Sequence, residues 1–129
     1  MSDWKTPLRL VEQLDKKGNI HEKGVKKLVS AVAEASELGE KLGCAEFIAF
    51  ATSAVRSAPN SEAVLDEVEK QTGVRLQILS GVEEAQLTFL AARRWYGWSA
   101  GRITNLDIGG GSLELSTGTD EHPDLAFSL

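Results

Sequence analysis

The sequence lacks several features that would direct it to a particular class of protein. It holds one cysteine, Cys44, so no internal disulfide can form, which is typical of a cytoplasmic protein. No apolar run is long enough to cross a bilayer, and residues 1–4 lack the basic and apolar regions of a secretory signal. Acidic residues outnumber basic ones, and the net charge of −5 disfavours a nucleic-acid binder. We therefore expect a cytoplasmic globular protein with neither a membrane nor a nucleic-acid polymer as partner.

The apolar pattern along the 129 residues predicts alternating strands and helices. We expect strands at 8–14, 47–51, 74–79, 103–108 and 113–117, helices at 21–42, 61–72 and 82–95, and the start of a further strand at 126–129. This order predicts an α/β fold whose parallel sheet is covered by helices and is followed by a hairpin. A complete domain seldom stops inside a strand, so we expect the chain to be a fragment.

The predicted hairpin has the most specific pattern in the chain. Its turn is Gly109, Gly110, Gly111 and Ser112, with Asp107 before it and Glu114 after it. Glycines permit positive φ, and they leave backbone N–H groups bare toward an anion such as phosphate. Carboxylates beside them could hold a divalent cation. The alternative is an ordinary turn. Neither a Walker loop nor a dinucleotide fingerprint fits, because no Gly-Lys-Ser/Thr and no helix follow.

Two further segments contain candidate site residues. Arg56 lies in a run of small and hydroxyl residues after the strand at 47–51, where it could bind phosphate through two hydrogen bonds; a surface arginine is the alternative. Ser80 and Glu83 have the spacing of a capping box, which accounts for Glu83 structurally. Glu84 is not needed for the cap, so it is a candidate base for an attacking water.

Together, residues 51–60, 80–87 and 107–115 closely resemble the signatures of the exopolyphosphatase/guanosine pentaphosphate phosphatase family. They occur in that family's order and at about its spacings, and the similarity covers nearly the whole chain. The hairpin alone recurs widely among actin-like ATPases, whereas the three segments together are specific. The resemblance implies a ribonuclease-H-like fold of the actin-like ATPase superfamily, with two similar lobes and the phosphates between them.

The resemblance also implies a division into lobes. Residues 1–101 would be a first lobe without its first two strands, and 102–129 the opening strands of a second lobe. The family begins with a phosphate loop of the Asp-x-Gly-Ser/Thr-Asn type, which is not found here. Leu113 also departs from the family, which often has threonine there. We therefore expect the family's activity in a full-length parent, and the activity of this chain alone stays open. A sheet edge left without partners predicts self-association or a homo-oligomer.

The family hydrolyses the terminal phosphate of inorganic polyphosphate or the 5′-terminal phosphate of guanosine pentaphosphate, with Mg²⁺. On this resemblance, Glu84 activates water and Asp107 lies near the metal with Glu114 beside the phosphate loop. Arg56 and the turn of Gly109, Gly110, Gly111 and Ser112 would bind phosphate. Two alternatives stay open: a non-catalytic phosphate- or nucleotide-sensing module, and an actin-like ATPase or sugar kinase.

Overall fold

The computed structural model describes residues 3–129, and the chain forms two compact units, Met1–Ile78 and Leu79–Leu129. The first contains a 3-10 helix (Leu10–Gln13), α1 (Glu22–Lys41), β1 (Phe50–Ala51), α2 (Ser53–Arg56), α3 (Ser61–Thr72) and β2 (Gln77–Ile78). The second contains α4 (Gly81–Tyr96), a 3-10 turn (Trp98–Ala100), β3 (Ile103–Ile108), β4 (Leu113–Gly118) and β5 (Leu125–Ser128). None of the helices described has both the length and the apolar character needed to cross a membrane.

The core of the first unit lies between α1 and α3, and both helices match the sequence prediction. Their buried side chains recur at helical spacing: Leu28, Ala31 and Val32 on α1, and Val64, Leu65 and Val68 on α3. Gly43 follows α1 with φ of 69° and Gly73 follows α3 with φ of 73°. These positive values end the helices at glycines, because other residues rarely adopt this conformation.

The strand predicted at 8–14 is wrong. Residues Leu10–Gln13 form a 3-10 helix that follows Arg9, whose φ of 49° is left-handed. Only Leu14 forms a bridge, to Ile20, across the predicted turn at 15–19. The Asp15 carboxylate accepts hydrogen bonds from the N–H groups of Lys17 and Asn19, which fixes this turn. Leu10 is therefore buried on a helical turn, and Leu8 and Leu14, which are partly buried, lie on either side of that turn.

The strands predicted at 47–51 and 74–79 are shorter than expected. They shrink to β1 and β2, which pair in parallel with Phe50 opposite Gln77 and Ala51 opposite Ile78. We expected strand 47–51 to be covered on both faces, and this is wrong. Phe47, Ile48 and Phe50 are each between 42% and 53% exposed. Two strands of two residues each do not make a sheet wide enough to bury them.

Asn60 occupies the position before α3 at which asparagine often caps a helix, but it does not cap this one. Its side chain makes no capping hydrogen bond to the helix. Instead its Oδ1 accepts from the Ile20 N–H at 2.9 Å, and its Nδ2 donates to the Ile20 carbonyl at 3.0 Å. This paired contact joins two segments that are 40 residues apart in the chain, so Asn60 contributes to tertiary structure.

The second unit is an antiparallel sheet of order β3-β4-β5 with α4 packed against all three strands. The predicted hairpin is confirmed, with Ile108 opposite Leu113 at its closed end. The predicted strand near 126–129 is also present, as β5. Ala85, Phe89 and Arg93 form the buried face of α4, whereas Leu87 is 44% exposed.

The boundary between the compact units falls before α4, at residues 78 and 79. The lobe boundary predicted from the resemblance is at 101 and 102, after α4. The helix groups with the three strands because its buried residues contact them. The assignment of 1–101 and 102–129 to two lobes stays a prediction.

Candidate functional site

The glycine turn lies open at the end of the β3-β4 hairpin. The Gly109 N–H donates to the Ser112 carbonyl at 3.0 Å and closes the turn. Gly109, Gly110 and Gly111 are exposed. Within residues 3–129, the N–H groups of Gly110 and Gly111 make no backbone hydrogen bond. The turn therefore has unused donors facing solvent, as an anion-binding loop requires.

The glycines do not supply the positive φ that we expected of them. Among the described residues, positive φ occurs at five other glycines and at none of the three in this turn. What they supply is backbone without side chains. At Gly109, an added Cβ would lie 3.4 Å from the Ser112 hydroxyl oxygen, which is an ordinary contact distance.

Ser112 is placed differently from its predicted use. Its Oγ is buried beneath the turn and has no hydrogen-bond partner among the described residues. The hydroxyl is thus turned toward Gly109 instead of toward solvent. In this conformation a contribution of Ser112 to anion binding would come from its backbone N–H.

Asp107 and Glu114 lie directly opposite each other on the face of the sheet that α4 covers. Side chains opposed in this way have Cβ atoms about 4.5–5.5 Å apart. Glu114 is only 1% exposed, and its Oε1 accepts a hydrogen bond of 2.8 Å from the Ser128 hydroxyl on β5. No ion pair in the described part of the chain involves Asp107 or Glu114.

Two opposed carboxylates without a cation repel each other, and burial increases the cost. Carboxylate oxygens are the ligands that Mg²⁺ prefers, and Mg²⁺ is commonly held by one or two carboxylates together with waters and substrate phosphates. The pair of Asp107 and Glu114 fits that donor set. Residues 3–129 contain no group of three or more His, Cys, Asp or Glu side chains placed to hold a metal.

Two contacts set the position of α4 over the sheet. Near its end, the Arg93 guanidinium donates to the Gly118 carbonyl at 2.9 Å, and Gly118 is paired with the first residue of β3. In its middle, the Thr88 hydroxyl accepts from the Asn105 amide at 3.3 Å. The helix therefore runs antiparallel to β3, with its N-terminus toward the glycine turn.

Glu84 lies one helical turn before Thr88, about 6 Å along the axis. Asp107 lies two residues after Asn105 on the same face of β3, about 7 Å along the strand. The two carboxylates are therefore brought to the same end of the second unit. Ser80 and Glu83 form the predicted capping box, with hydrogen bonds of 3.2 and 2.7 Å. The cap fixes the turn that carries Glu84 without using its side chain.

Arg56 is the last residue of α2 and is partly buried in the first unit. The small and hydroxyl residues around it follow β1, as the sequence predicted. Its role in binding phosphate stays a prediction.

Arg93 is a residue that we did not predict to be important. It is fully buried, its guanidinium donates to the carbonyls of Gly97, Gly101 and Gly118, and it lies 5.7 Å from the centre of the Phe89 ring. The signal was present, since Arg93 follows Ala85 and Phe89 at intervals of four. Ser128 was missed as well, and its register opposite Glu114 could not be seen in the sequence.

The comparisons with known proteins agree with the resemblance. The model of the Ppx/GppA phosphatase family matches residues 1–129. Proteins named exopolyphosphatase 1 from Mycobacterium leprae and Mycobacterium tuberculosis are each 60% identical over the whole chain, which spans 38% of their length. A crystal structure of an exopolyphosphatase from Cytophaga hutchinsonii has a TM-score of 0.90 at 24% identity, covering all of this chain and 41% of that one.

The match in structure confirms the predicted α/β fold, which is of the ribonuclease-H-like, actin-like ATPase type, and the chain represents part of it. The family model spans every residue, and the relatives share the sequence across its full length. On these grounds the chain belongs to the Ppx/GppA phosphatase family.

Proposed function

We propose that this chain forms part of a phosphohydrolase that releases the terminal phosphate of inorganic polyphosphate. One observation carries the proposal. The opposed carboxylates of Asp107 and Glu114 lie beside the open glycine turn, at the end of the unit where α4 brings Glu84. The turn can bind phosphate oxygens, and the acids can hold a cation and orient water. The names of the mycobacterial relatives indicate the substrate.

In the proposed reaction, the Glu84 carboxylate accepts a proton from a water molecule. The water oxygen forms a bond to the terminal phosphorus, and the bond from that phosphorus to the bridging oxygen breaks. The products are phosphate and a chain shorter by one unit. The N–H groups of Gly110 and Gly111 would donate to the oxygens of the terminal phosphoryl group. Mg²⁺, when bound by Asp107 and Glu114, would neutralise charge on those oxygens.

Several finer parts of the proposal go beyond polyphosphate. Guanosine pentaphosphate presents a similar terminal phosphate, and the turn offers contacts to phosphate alone, so we propose it as a second substrate. We also propose a cytoplasmic location, Mg²⁺ as the cofactor, Arg56 as a further phosphate ligand, and self-association of the protein. This chain spans 38% of the length of those relatives, and we propose that the activity belongs to the whole protein.

The proposal is tested by phosphate release from polyphosphate with Mg²⁺ in a full-length protein carrying this sequence. We expect Glu84→Gln to lower kcat by at least a hundredfold, because loss of a general base typically costs 10²–10⁴ in rate. Glu83→Gln is the matched control: it removes the neighbouring carboxylate, which is engaged in the cap, and should leave kcat nearly unchanged. Normal turnover by Glu84→Gln would exclude Glu84 as the base.

The metal site is tested separately on the 129-residue chain. Mg²⁺ should raise its Tm in proportion to the logarithm of the metal concentration, because a ligand that binds only the folded state stabilises it. Asp107→Asn should abolish that increase and should itself raise the Tm in a chelator, since it removes one of two opposed charges. Binding of polyphosphate to the glycine turn without hydrolysis in the full-length protein would favour a sensing module instead.

A further inference from the structure

A groove of about 380 Å³ on the first unit is lined mainly by the start of α1 and by residues 6–8. We call it the lysine groove, because Lys23, Lys26 and Lys27 form one side of it. The hydroxyl residues Thr6 and Ser30 also line it, and Glu34 lies at the end farther along the helix. The three lysines are exposed, with spacings of three and four residues, so they share a face of the helix.

Positive charge is concentrated in the segment of the chain that supplies most of the lining of this groove. Residues 5–27 contain seven lysines and arginines against three acids, a local net charge of +4 in a chain whose total is −5. The remaining residues therefore carry −9. Such segregation produces a positive potential that attracts anions to one region of an otherwise acidic protein.

The stability of α1 does not explain two of the three lysines, Lys23 and Lys27. Lysines near a helix N-terminus face the positive end of the helix dipole, and like charges four residues apart repel. Lys26 is relieved by an ion pair with Glu22 at 2.6 Å, and this hydrogen bond raises the pKa of Lys26. Lys23 and Lys27 form no ion pair within the described residues. The unfavourable electrostatic energy of Lys23 and Lys27 is thus not offset by an ion pair, which is typical of residues retained for binding.

We propose that the lysine groove binds inorganic polyphosphate, at a place distinct from the residues of the glycine turn. Lysine ammonium groups bind phosphate as point charges, and the hydroxyls of Thr6 and Ser30 can donate to its oxygens. The choice of polyphosphate over other polyanions rests on the proposed function and on the lining of the groove. Single-stranded nucleic acid is usually bound with aromatic side chains that stack on bases, and none lines this groove.

The test compares two variants of the 129-residue chain that each lose two positive charges. Lys23→Gln with Lys27→Gln alters the groove and leaves the pair of Lys26 and Glu22 intact. Lys41→Gln with Lys70→Gln is the control, since both lysines are exposed on helices outside the groove. Binding of medium-length polyphosphate is measured by calorimetry at several salt concentrations, and its location by amide chemical shifts in NMR spectra.

For the parent chain we expect shifts at the amides of residues 23–30. The groove variant should lose these shifts, and its salt slope should fall by about 1.4, which corresponds to about 25-fold weaker binding at 0.1 M salt. The control variant should change affinity by less than threefold. Equal weakening by both variants would overturn the proposal, because the effect would then be one of net charge.

Two further measurements decide the ligand and separate this proposal from the proposed function. Single-stranded DNA of matched charge should bind more weakly than polyphosphate; equal binding that depends on Lys23 and Lys27 would assign the groove to nucleic acid and overturn our choice. Glu84→Gln should keep the shifts at residues 23–30 unchanged. If groove binding persists while the full-length protein shows no hydrolysis, the proposed function fails and the groove does not.

Discussion

Arg93 connects α4 to two other parts of the second unit through the hydrogen bonds of its side chain. Its side chain is fully buried and forms no ion pair within residues 3–129, and it donates to three carbonyls, those of Gly97 and Gly101 after α4 and of Gly118 at the end of β4. Its Nε has no partner in the described residues. This one charged donor satisfies the buried carbonyl of Gly118 and two further carbonyls that are partly buried, those of Gly97 and Gly101.

We expect Arg93→Ala to lower the free energy of unfolding by about 3–5 kcal/mol, because it leaves three carbonyls without their donor and a void beside Phe89. Urea denaturation followed by circular dichroism measures this. Arg94→Ala is the adjacent control: Arg94 is 64% exposed in its ion pair with Glu121, and the loss should stay below about 1 kcal/mol. Similar losses for the two variants would contradict the role given to Arg93.

The carboxylates illustrate what residue patterns can and cannot predict. The hairpin was predictable because β-branched residues flank glycines, a local pattern that fixes the register and so places Asp107 opposite Glu114. The burial of Glu114 and its contact with Ser128 could not be predicted, because both depend on the pairing of β4 with β5, and Ser128 lies 14 residues after Glu114. The burial of Arg93 could have been predicted from its spacing to Ala85 and Phe89, but its hydrogen bond to Gly118, 25 residues away, could not.

At the scale of elements, α1 contains two glycines with different surroundings. A Cβ on Gly24 would lie 2.9 Å from both the Gln13 Cβ and the Ile20 Cγ2, closer than real side chains approach. A Cβ on Gly39 would meet only the Phe47 ring, at 3.4 Å. Gly24 is therefore required by close packing, whereas Gly39 carries only the entropic cost of glycine in a helix.

Gly24→Ala should destabilise the protein by about 1–3 kcal/mol through overpacking, although alanine favours helices. Gly39→Ala should stabilise it by up to about 1 kcal/mol through helix propensity. Thermal denaturation of both variants in one buffer gives the comparison. Stabilisation by both would show that the approach of α1 to Gln13 and Ile20 is looser than described here.

The capping box of α4 makes the stability of that helix depend on pH. Hydrogen bonds from Ser80, first of all its backbone N–H, hold the pKa of Glu83 below the usual glutamate range. A carboxyl group whose pKa is lower in the folded than in the unfolded state stabilises the folded state at pH values above its unfolded pKa, which is about 4.3 for glutamate. This stabilisation is lost as the pH falls through the pKa of the folded state. We expect Glu83→Gln to lower the urea midpoint at pH 7, with the difference from the parent narrowing at pH 3. A difference that stays constant with pH would contradict this.

Element boundaries also show where local patterns fail. The three long helices, α1, α3 and α4, were predicted to within one residue because their apolar spacing and terminal glycines act locally, whereas the single turn of α2 was not predicted. The strands at 47–51 and 74–79 were overestimated, because the length of a strand depends on the partners available. In the described residues each has one partner, of two residues. The same apolar runs in a wider sheet would have satisfied the prediction.

At the scale of the whole molecule, the sheet of β3, β4 and β5 has an exposed apolar face. The face away from α4 carries no charged residue, and its side chains alternate with those of the carboxylate face. Leu106, Ile108, Leu125 and Leu129 on it are between 51% and 79% exposed. Contiguous exposed apolar surface of this kind favours association. The sequence predicted self-association from an unpaired edge, and this face adds a second reason.

We expect the chain to self-associate as its concentration rises, measured by sedimentation velocity. Leu106→Lys with Ile108→Lys should shift the distribution toward monomer, because two charges would be buried in any contact through this face. Leu42→Lys is the control, since Leu42 is comparably exposed, at 56%, outside the sheet. A monomeric parent at every concentration would rule out self-association.

The open donors of the glycine turn have a consequence for how this site can change over time. They belong to the main chain, and every amino acid except proline has the same N–H group. Adding a side chain at Gly110 or Gly111 would crowd or reshape the loop but would leave its donors in place. Substitution of Asp107 or Glu114, in contrast, removes a proposed cation ligand outright. Mutation would thus remove the proposed cation ligands more readily than the hydrogen-bond donors, so an inactive descendant could still recognise the same anion.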